Sequence, residues 1–473
     1  MVYQRGKLLS QEELHTLHEA GLEILETLGV KISHPEVYKR VVQAGGKPVQ
    51  DGSAVLLPRD LVMRCVKQCP GSVTLADRRG GRAVLEPGGR PYYFTGNALT
   101  WTDSENKIRP ITRKDYADYA RVVDSLDQVF GMVGTNIADV PTKSRDVSGF
   151  KIMLENTRGH LRPCLFSAGG AKTIIEMADV ILDGRPYEEL PFFSFGYSIV
   201  SPLHWSFEAC DIFLQTAGRK IPLTVNSEPL AGGTSPVTLA GSLAIGNAEV
   251  LSGLVINQVV EPGRPLIYNM GFAHLLDMFT AVALTGSPEN SLMAGAGAEL
   301  AAFYGLPSAS WFGTDSLTVD GQACLEKMLT ILTQACGGPN FLWGVGNTEA
   351  TKQYSLEMCI LDNEMLGAAE RFRRGILVDD RTLAMDAIYE VGFGGDFLSH
   401  EHTLDNYREE NRYVTALNRT VRDKWEAAGR PTSEDRARSI VAAVLAKPRV
   451  PFVDEATLGK LEAIESRWIA SLA

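Results

Sequence analysis

Short apolar runs and longer amphipathic stretches alternate along most of this chain. From residue 129 onward, seven apolar runs of strand length recur, and a helical pattern of apolar positions follows each one. The units repeat about every 30 to 44 residues, the size of a β-strand with its crossover helix. The predicted strands are Val129–Gly134, Pro163–Ser167, Pro191–Tyr197, Ile221–Val225, Pro265–Met270, Ser308–Phe312 and Asn340–Val345. The predicted helices are Gly149–Thr157, Lys172–Leu182, Trp205–Ala217, Pro236–Val260, His274–Tyr304, Gln322–Cys336 and Thr351–Arg374.

Strands that are apolar at nearly every position are typical of a parallel sheet covered by helices on both faces. We therefore predict an α/β fold, a (β/α)8 TIM-type barrel with N-terminal and C-terminal additions, rather than an open doubly wound sheet. The eighth strand is either Ile376–Val378 or the segment Tyr92–Leu99. The predicted domains are an N-terminal extension at 1–110 (a helix, Gln11–Leu28, and short strands), the barrel at 111–380 and a helical extension at 381–473 that packs on the barrel.

The stretch from Glu228 to Pro265 is the most informative part of the chain. It reads as a strand end, a glycine loop, a long helix and a second loop. Gly232 and Gly233 allow positive φ and close approach to a ligand, and Thr234 or Ser235 is placed to cap a helix that has Pro236 in its first turn. On these residues alone, an ordinary βα-unit of a large barrel is the better explanation of the stretch, because loop glycines serve many purposes.

Composition and charge exclude several partners. The chain is 45% hydrophobic and 22% charged, as is usual for soluble globular proteins. A net charge of −11 argues against binding to nucleic acid, which requires clustered Lys and Arg. The most apolar segment, Leu239–Val260, is interrupted by four polar residues, so we expect no membrane span, and with no targeting segment we expect a cytoplasmic protein. Seven scattered cysteines without a C-x-x-C pair indicate reduced structural thiols.

In a barrel of this type the active site lies at the carboxyl ends of the strands. The predicted strand ends carry no cluster of carboxylates for a metal but many aromatic residues, whose faces attract quaternary ammonium groups. Each aromatic residue alone is better explained as barrel core, whereas Glu228 is equally a candidate general base or cation partner and a group that stabilises the loop. The candidate substrate-binding residues are Tyr197, Asn226, Glu228, Tyr268, Trp311, Phe312 and Trp343. A rival hypothesis, a metal-dependent barrel hydrolase or lyase, would use His400, His402 and Asp315.

Two long motifs resemble the trimethylamine methyltransferase superfamily. They are GGTSPVTLAG followed by NAEVLSG and EPGRP, within 228–265, and the segment VGFGGDFLSHEHTLDNYREENRYVTALNRTVRDKWEAAG at 391–429. The resemblance, which spans nearly the whole chain, implies a (β/α)8 barrel and methyl transfer to a corrinoid, a cob(I)alamin held by a small partner protein, in anaerobic metabolism. The founding enzyme has pyrrolysine near a strand end, whereas the corresponding region here, Trp311 to Gln322, contains only standard residues. The chain is thus similar to the non-pyrrolysine branch, whose characterised members act on quaternary amines such as glycine betaine.

The chemistry of a quaternary amine explains why no acid–base pair is evident. The nitrogen of glycine betaine leaves as neutral dimethylglycine when Co(I) takes the methyl group, so no general acid is required and we assign no catalytic residue. We expect aromatic residues to surround the ammonium group, and an Asn, His or Arg, or amides of the Gly232–Thr234 loop, to hold the carboxylate. The same loop, Gly232, Gly233 and Thr234, is expected to face the corrinoid. Carnitine, γ-butyrobetaine and proline betaine remain alternative substrates, a non-catalytic betaine-binding protein remains an alternative function, and a barrel of this size is expected to form a homo-oligomer.

Overall fold

Eight parallel strands form the centre of the molecule. A computed structural model describes residues 6–49, 52, 54–103, 107–271 and 274–472. The strands, numbered in chain order, are β1 (Tyr92–Thr95), β2 (Val129–Val133), β3 (His160–Arg162), β4 (Phe195–Ser198), β5 (Leu223–Asn226), β6 (Leu266–Gly271), β7 (Ser308–Trp311) and β8 (Phe341–Val345). The helices that follow them in turn are α1 (Arg113–Asp124), α2 (Arg145–Asn156), α3 (Ala168–Leu182), α4 (Phe207–Gln215), α5 (Leu239–Val260), α6 (Pro288–Phe303), α7 (Gly321–Gly337) and α8 (Leu356–Arg374). The predicted (β/α)8 barrel is confirmed.

The ring of strands closes between β3 and β4. Within the sheet the strands follow chain order from β4 to β8, then β1 to β3. Leu161 forms a parallel bridge with Phe193, and its amide donates to the carbonyl of Phe192 at 2.8 Å. The strand that completes the ring is Tyr92–Thr95, which pairs with β8 on one side and β2 on the other. The alternative, Ile376–Val378, is wrong, since these residues form no strand and are exposed.

Three predicted elements are displaced in the structure. The third strand ends at Arg162 because Pro163 has no amide hydrogen to donate, so the prediction of Pro163–Ser167 was wrong and Ser167 instead caps α3. The first part of the predicted helix His274–Tyr304 is a hairpin of His274–Leu276 with Ala283–Leu284, and α6 begins only after the Ser287 cap.

The helix after the glycine loop also begins later than predicted. Thr238 is its N-cap, and the Thr234 hydroxyl instead accepts a hydrogen bond from the Leu230 amide at 2.9 Å within a turn. Gly232 has the expected positive φ, 91°, whereas Gly233 does not need one.

Helix α5 is buried on most of its faces. Helices Gln11–Thr27 and Arg59–Gln68 of the N-terminal part cover its outer side, and the barrel covers its inner side. The approach is close: a side chain at Gly21 would lie 2.6 Å from the Asn247 side-chain nitrogen. Among the described helices, α5 alone is long and apolar enough by length and composition to cross a membrane, and most of it is buried inside the fold.

The remaining elements close the barrel at its amino end and decorate its surface. A hairpin of Val73–Ala76 with Arg82–Leu85 places Leu75 and Leu85 against Phe94 and Phe341 in the barrel interior. A further helix is Pro35–Gln43, and single 3-10 turns occur at Thr142–Ser144 and Tyr187–Glu189. The other short strands are Lys31–Ile32, Lys47–Pro48, Val55–Leu56, Thr100–Thr102, Ile108–Pro110, His204–Trp205, Leu230–Ala231, Asn347–Thr348 and Gln353–Tyr354.

The chain after α8 has two distinct parts. Helices Ser433–Leu445 and Glu455–Ser471 pack on the outer helices of the barrel, the first against α8 and α1 and the second against α3 and α2. Before them lies a segment, residues 376–421, which we call the arm. It contains the short helices Asp380–Leu383, Met385–Val391 and Glu401–Glu410, and it is almost entirely exposed; helix Arg422–Ala427 follows it.

Candidate active site

A cavity of about 560 Å³ opens at the carboxyl ends of the barrel strands. Strand ends and the loops after them build its walls, which is the usual position of an active site in this fold. Its lining residues are Asn97, Val133, Arg162, Pro163, Cys164, Leu165, Phe166, Gly196, Tyr197, Ser198, Glu208, Ala209, Ile212, Asn226, Glu228, His274, Ala283, Thr285, Trp311, Trp343, Ala350 and Thr351.

Two tryptophans form the floor of this cavity. Trp311 and Trp343 are paired in register on β7 and β8, so their side chains point to the same side of the sheet, the barrel interior. Their rings are nearly perpendicular, at 89°, with centroids 6.2 Å apart. Beneath them Phe94 and Phe341 stack with centroids 3.6 Å apart. The aromatic residues therefore make a rigid, apolar base on which polar groups stand.

Arg162, the last residue of β3, brings a positive charge into this wall. Its Cζ lies 4.7 Å from the centroid of the Trp343 ring, a cation–π arrangement. Only 7% of the residue is exposed, and among the described residues no group accepts a hydrogen bond from its Nε. Burial lowers the pKa of the guanidinium from its usual value, yet an arginine remains charged at neutral pH. A buried, charged and under-bonded guanidinium is suited to receive a carboxylate.

Glu228 supplies the opposite charge. Its Oε1 accepts a hydrogen bond from the Ser198 hydroxyl at 2.8 Å. The Ser198 Oγ in turn accepts a hydrogen bond from the side-chain amide of Asn226 at 3.2 Å. The Asn269 side chain holds Asn226 in place at 2.8 Å. Glu228 is exposed to the open cavity, yet the protein atoms around it remove part of the hydration of its carboxyl group and so raise its pKa, against the opposing effects of Ser198 and Arg162. The cavity thus presents one fixed cation and one carboxyl group to a small ligand.

His274 is the one described histidine in the cavity wall, and it is suited to remain neutral. Burial lowers its pKa to about 4, and its Nδ1 has no hydrogen-bond partner among the described residues.

The residues of the metal hypothesis each make separate local contacts. Asp315 accepts from the Thr285 amide at 2.7 Å, and His400 Nδ1 accepts from the His402 amide at 3.1 Å. The described residues contain no group of three or more His, Cys, Asp or Glu side chains placed to hold a metal.

The structure separates the seven candidate substrate-binding residues. Five line the cavity: Tyr197, Asn226, Glu228, Trp311 and Trp343. Tyr197 does so without its hydroxyl, which lies 2.7 Å from the Thr216 hydroxyl, outside the cavity. Tyr268 and Phe312 are buried elsewhere, because neighbouring residues of a strand point to opposite faces.

The two remaining candidates and the glycine loop have other surroundings. The Tyr268 hydroxyl donates to Asn247 on α5 at 2.9 Å, and the Phe312 ring lies under the ammonium group of Lys327 at 5.2 Å. Gly232, Gly233 and Thr234 form a turn at the rim rather than in the wall. A side chain at Gly232 would lie 3.2 Å from the sulfur of Met278, a largely exposed residue.

Several wall residues were absent from the sequence prediction. They are Asn97, Arg162, Phe166, His274 and Thr285, among others. Arg162 was missed because the third strand was placed after it. The signal that would have found it is the proline at 163, which ends a strand and leaves the preceding side chain at its carboxyl end.

Comparison with known proteins supplies the family. A family model described as trimethylamine methyltransferase matches residues 2–472. The trimethylamine methyltransferase MttB of Desulfitobacterium hafniense is 30% identical over 441 residues, which cover 92% of this chain and 88% of the relative. A glycine betaine methyltransferase of the same species is 30% identical over 465 residues, 96% of each chain. The crystal structure of the monomethylamine methyltransferase of Methanosarcina barkeri aligns with a TM-score of 0.56 at 13% identity, covering 93% of this chain and 88% of that one.

The fold and these relatives define a methyltransferase built on a TIM-type barrel. More particularly, the chain belongs to the trimethylamine methyltransferase family. The resemblance seen in the motifs of 228–265 and 391–429 is confirmed.

Proposed function

We propose that this enzyme removes a methyl group from glycine betaine and transfers it to the Co(I) of a corrinoid carried by a partner protein, with dimethylglycine as the product. The observation that carries the proposal is the pair of charges in the cavity: Arg162 and Glu228 face the space above the tryptophan floor. Glycine betaine is a zwitterion, and it matches one cation and one carboxylate within a single small cavity.

Arg162 would bind the carboxylate of the substrate. Hydrogen bonds between a guanidinium and a carboxylate are stronger than neutral ones and fix the orientation of the ligand. The Nε of Arg162 has no partner among the described residues, so a bound carboxylate would satisfy a group that otherwise stays unsatisfied. Trimethylamine has no carboxylate and could not form this contact, which supports the betaine rather than the amine as the proposed substrate.

Glu228 and the aromatic floor would bind the trimethylammonium group. The carboxylate supplies the counter-charge, and the Trp311 ring offers an apolar aromatic surface. One ring of the floor, Trp343, already contacts the Arg162 guanidinium, so the aromatic contribution comes chiefly from Trp311 and from Phe166 in the wall. This is fewer rings than a full cage requires, and it gives Glu228 the larger role.

The reaction balances without a proton from the protein. Co(I) supplies the nucleophile; the bond between nitrogen and the methyl carbon breaks, the bond between cobalt and that carbon forms, and the electron pair stays on nitrogen. The task of this chain's residues is then to orient one methyl group toward the mouth and to exclude water. A neutral His274 agrees with this requirement, since no general acid is needed.

The partner would approach the open end of the barrel. The loops at that end carry exposed apolar side chains, among them Val237, Met278, Phe279 and Leu317. The Gly232–Thr234 turn lies beside Met278, in a position to face the corrinoid. We propose these loops as the contact surface for the corrinoid protein.

The test is spectroscopic. The purified enzyme is mixed anaerobically with cob(I)alamin, or with a reduced corrinoid protein, and glycine betaine is added while the Co(I) absorption is followed. Enzyme-dependent conversion to methyl-Co(III) with glycine betaine, but not with trimethylamine, supports the proposal. Conversion with carnitine, γ-butyrobetaine or proline betaine instead would keep the reaction and change the substrate. Tight binding of betaine without any conversion would favour a non-catalytic binding protein.

A further inference from the structure

A second cleft, of about 510 Å³, lies at the end of the barrel opposite the cavity mouth. Helix α8 runs back from the carboxyl end of β8, so its last turn lies at the amino end of the strands. That turn, the residue Arg90 before β1 and the arm together form the cleft. Five of its eight lining residues are arginines: Arg90, Arg371, Arg373, Arg374 and Arg412. The whole chain has a net charge of −11, so this concentration of positive charge is a local feature.

Three of the five arginines have a carboxylate partner of their own. The pairs, with their nitrogen–oxygen distances, are Arg371 with Glu410 at 2.8 Å, Arg373 with Glu370 at 3.1 Å and Arg412 with Glu364 at 2.8 Å. The remaining glutamate of the lining, Glu409, lies 3.7 Å from Arg381, which does not line the cleft. These four carboxylates are therefore already neutralised, and their contacts explain how the arm is attached to α8.

The other two arginines, Arg90 and Arg374, carry charges without a carboxylate of their own. The Arg374 guanidinium lies 3.8 Å from the Glu410 carboxylate, which is already paired more closely with another arginine, and it donates to the backbone carbonyl of Glu409. Among the described residues no carboxylate lies within 4 Å of the Arg90 guanidinium, whose Cζ lies 4.9 Å from the centroid of the Tyr92 ring. The cleft thus has a surplus of two positive charges.

Arg373 adds a donor within the wall between these two arginines and the barrel. Only 8% of the residue is exposed, and its Nε has no hydrogen-bond partner among the described residues. A buried donor without an acceptor costs free energy, which an anion in the cleft would recover. The structural role of Arg373, its pairing with Glu370 through Nη1, leaves this Nε unused.

A phosphate group matches this arrangement. Guanidinium groups bind phosphate oxygens through charge-assisted hydrogen bonds that are frequently bidentate. A phosphate monoester carries a charge of about −1.5 to −2 at neutral pH, close to the surplus of the cleft, whereas one carboxylate would neutralise only half of it. The volume of about 510 Å³ also falls within the range of small-molecule sites, about 300 to 1,000 Å³, so an organic group attached to the phosphate has room.

We propose that this cleft binds a phosphate dianion, either free or as the phosphate group of a small metabolite, with Arg90 and Arg374 as its principal partners and Arg373 as a further donor. The bound phosphate would connect the start of β1, the end of α8 and the arm. The inference stands apart from the proposed methyl transfer, because the cleft lies at the opposite end of the barrel from the cavity.

Isothermal titration calorimetry of the full-length enzyme in its native assembly measures this binding. The probes are inorganic phosphate and AMP, titrated at constant ionic strength so that general screening does not change. We expect a submillimolar Kd for at least one of them. Tighter binding of AMP would identify a phosphate ester as the ligand, and equal affinities would identify the free ion. A Kd above about 10 mM for both probes would overturn the proposal.

Matched variants separate a specific site from the general charge of the surface. Arg90→Gln/Arg374→Gln removes the two surplus charges at exposed positions and should weaken binding of the tighter probe at least about thirtyfold. Glu409→Gln removes a negative charge from the lining and should strengthen binding about threefold, an increase that a damaged fold cannot produce. The control is Arg408→Gln, an exposed arginine of the arm outside the cleft, which should leave the Kd unchanged.

Hydrogen–deuterium exchange gives a second readout of the same site. Saturating probe should slow amide exchange in Glu401–Glu410 of the wild type and should have no such effect in the double variant, because the phosphate would no longer connect the arm to the barrel. An unchanged Kd in the double variant would overturn the proposal. An equal loss of affinity in Arg408→Gln would also overturn it, since it would show that the probe responds only to the overall charge of the arm.

Discussion

The Arg162 guanidinium occupies the space in front of Gly196. The two residues lie on neighbouring barrel strands, β3 and β4, and a Cβ atom on residue 196 would lie 1.7 Å from Nη2 of Arg162. Any side chain there would displace the arginine, so glycine at 196 is the condition for a buried positive charge in this wall. The two residues therefore act as one structural unit of the cavity.

The first prediction concerns Arg162 itself. Arg162→Met should lower kcat/KM for glycine betaine about a hundredfold, because it removes a charge-assisted contact of about 2 to 3 kcal/mol. The rate with tetramethylammonium, which has no carboxylate, should change far less. Arg158→Met, an exposed arginine of the preceding loop, is the control. An equal loss with both substrates would show that Arg162 only supports the fold.

The second prediction uses the glycine. Gly196→Ala should reproduce the loss of betaine turnover, since its methyl group forces the guanidinium away from Trp343. Gly149→Ala is the matched control: its Cβ would make an ordinary contact at 3.6 Å, and as a helical alanine it should stabilise slightly. Kinetics and thermal melting of the two variants provide the comparison. A fully active Gly196→Ala would mean that Arg162 does not bind substrate.

Glu228 predicts a pH dependence of substrate binding. Its pKa is raised by enclosure, so the carboxyl group takes up a proton at a pH above its ordinary 4.5, and the counter-charge for the ammonium group is lost as pH falls through that raised value. The KM for glycine betaine should therefore increase toward acid pH. Glu228→Gln should raise KM about tenfold at neutral pH and abolish this dependence. Glu208→Gln, at the same cavity, should retain it.

His160 predicts a loss of stability in acid. It is completely buried beneath the cavity, with Nδ1 3.0 Å from the Ala76 carbonyl and Nε2 2.9 Å from the Ser194 hydroxyl, and burial lowers its pKa to about 4. The unfolded chain binds this proton below about pH 6.5 and the folded chain only near 4, so stability falls as pH decreases through that window. The loss should reach on the order of 3 kcal/mol at pH 4. Denaturant titrations of the wild type and His160→Gln, compared by slope against pH, measure it.

A buried ion pair fixes the end of β8. The Lys327 ammonium group lies 3.0 Å from Asp362 and donates to the Gly344 carbonyl at 2.6 Å, and both side chains are fully buried. Lys327→Met should destabilise the protein by about 3 to 5 kcal/mol, because it leaves the carboxylate without its counter-charge. Lys327→Met/Asp362→Asn should recover part of that loss in urea denaturation. Equal destabilisation in both variants would mean that packing, not charge, dominates.

The sequence predicted the barrel well and the cavity only in part, for a physical reason. Repeating apolar strands and helices determine the fold class, and they located six of the eight strands; the third was misplaced, and the strand that completes the ring was one of two alternatives. Which aromatic residue faces inward depends on strand register, and a shift of one residue moves a side chain to the other face. Trp311 and Phe312 are adjacent aromatic residues, yet of the two only Trp311 lines the cavity. Arg162 was omitted from the predicted site for a related reason, because the third strand was placed after it.

The arm shows a different limit. Its apolar residues have the composition of a packed extension, which is what the sequence led us to expect. An apolar composition predicts that these residues become buried, but it does not predict whether residues of the same chain or of another molecule bury them. In the structure the two last helices pack on the barrel, whereas the arm is joined to it by hydrogen bonds to α8 and leaves most of its large apolar side chains exposed.

The N-terminal helices of the chain shield the apolar outer face of helix α5 from solvent. The helices Gln11–Thr27 and Arg59–Gln68 lie over a 22-residue apolar helix of membrane-spanning length. A chain shortened from its amino end would expose the apolar outer face of this helix to solvent, where lipid bilayers and chaperones can bind such surfaces. Loss of the leading segment should therefore expose the apolar outer face of α5 and favour aggregation or degradation before any change in the cavity is felt.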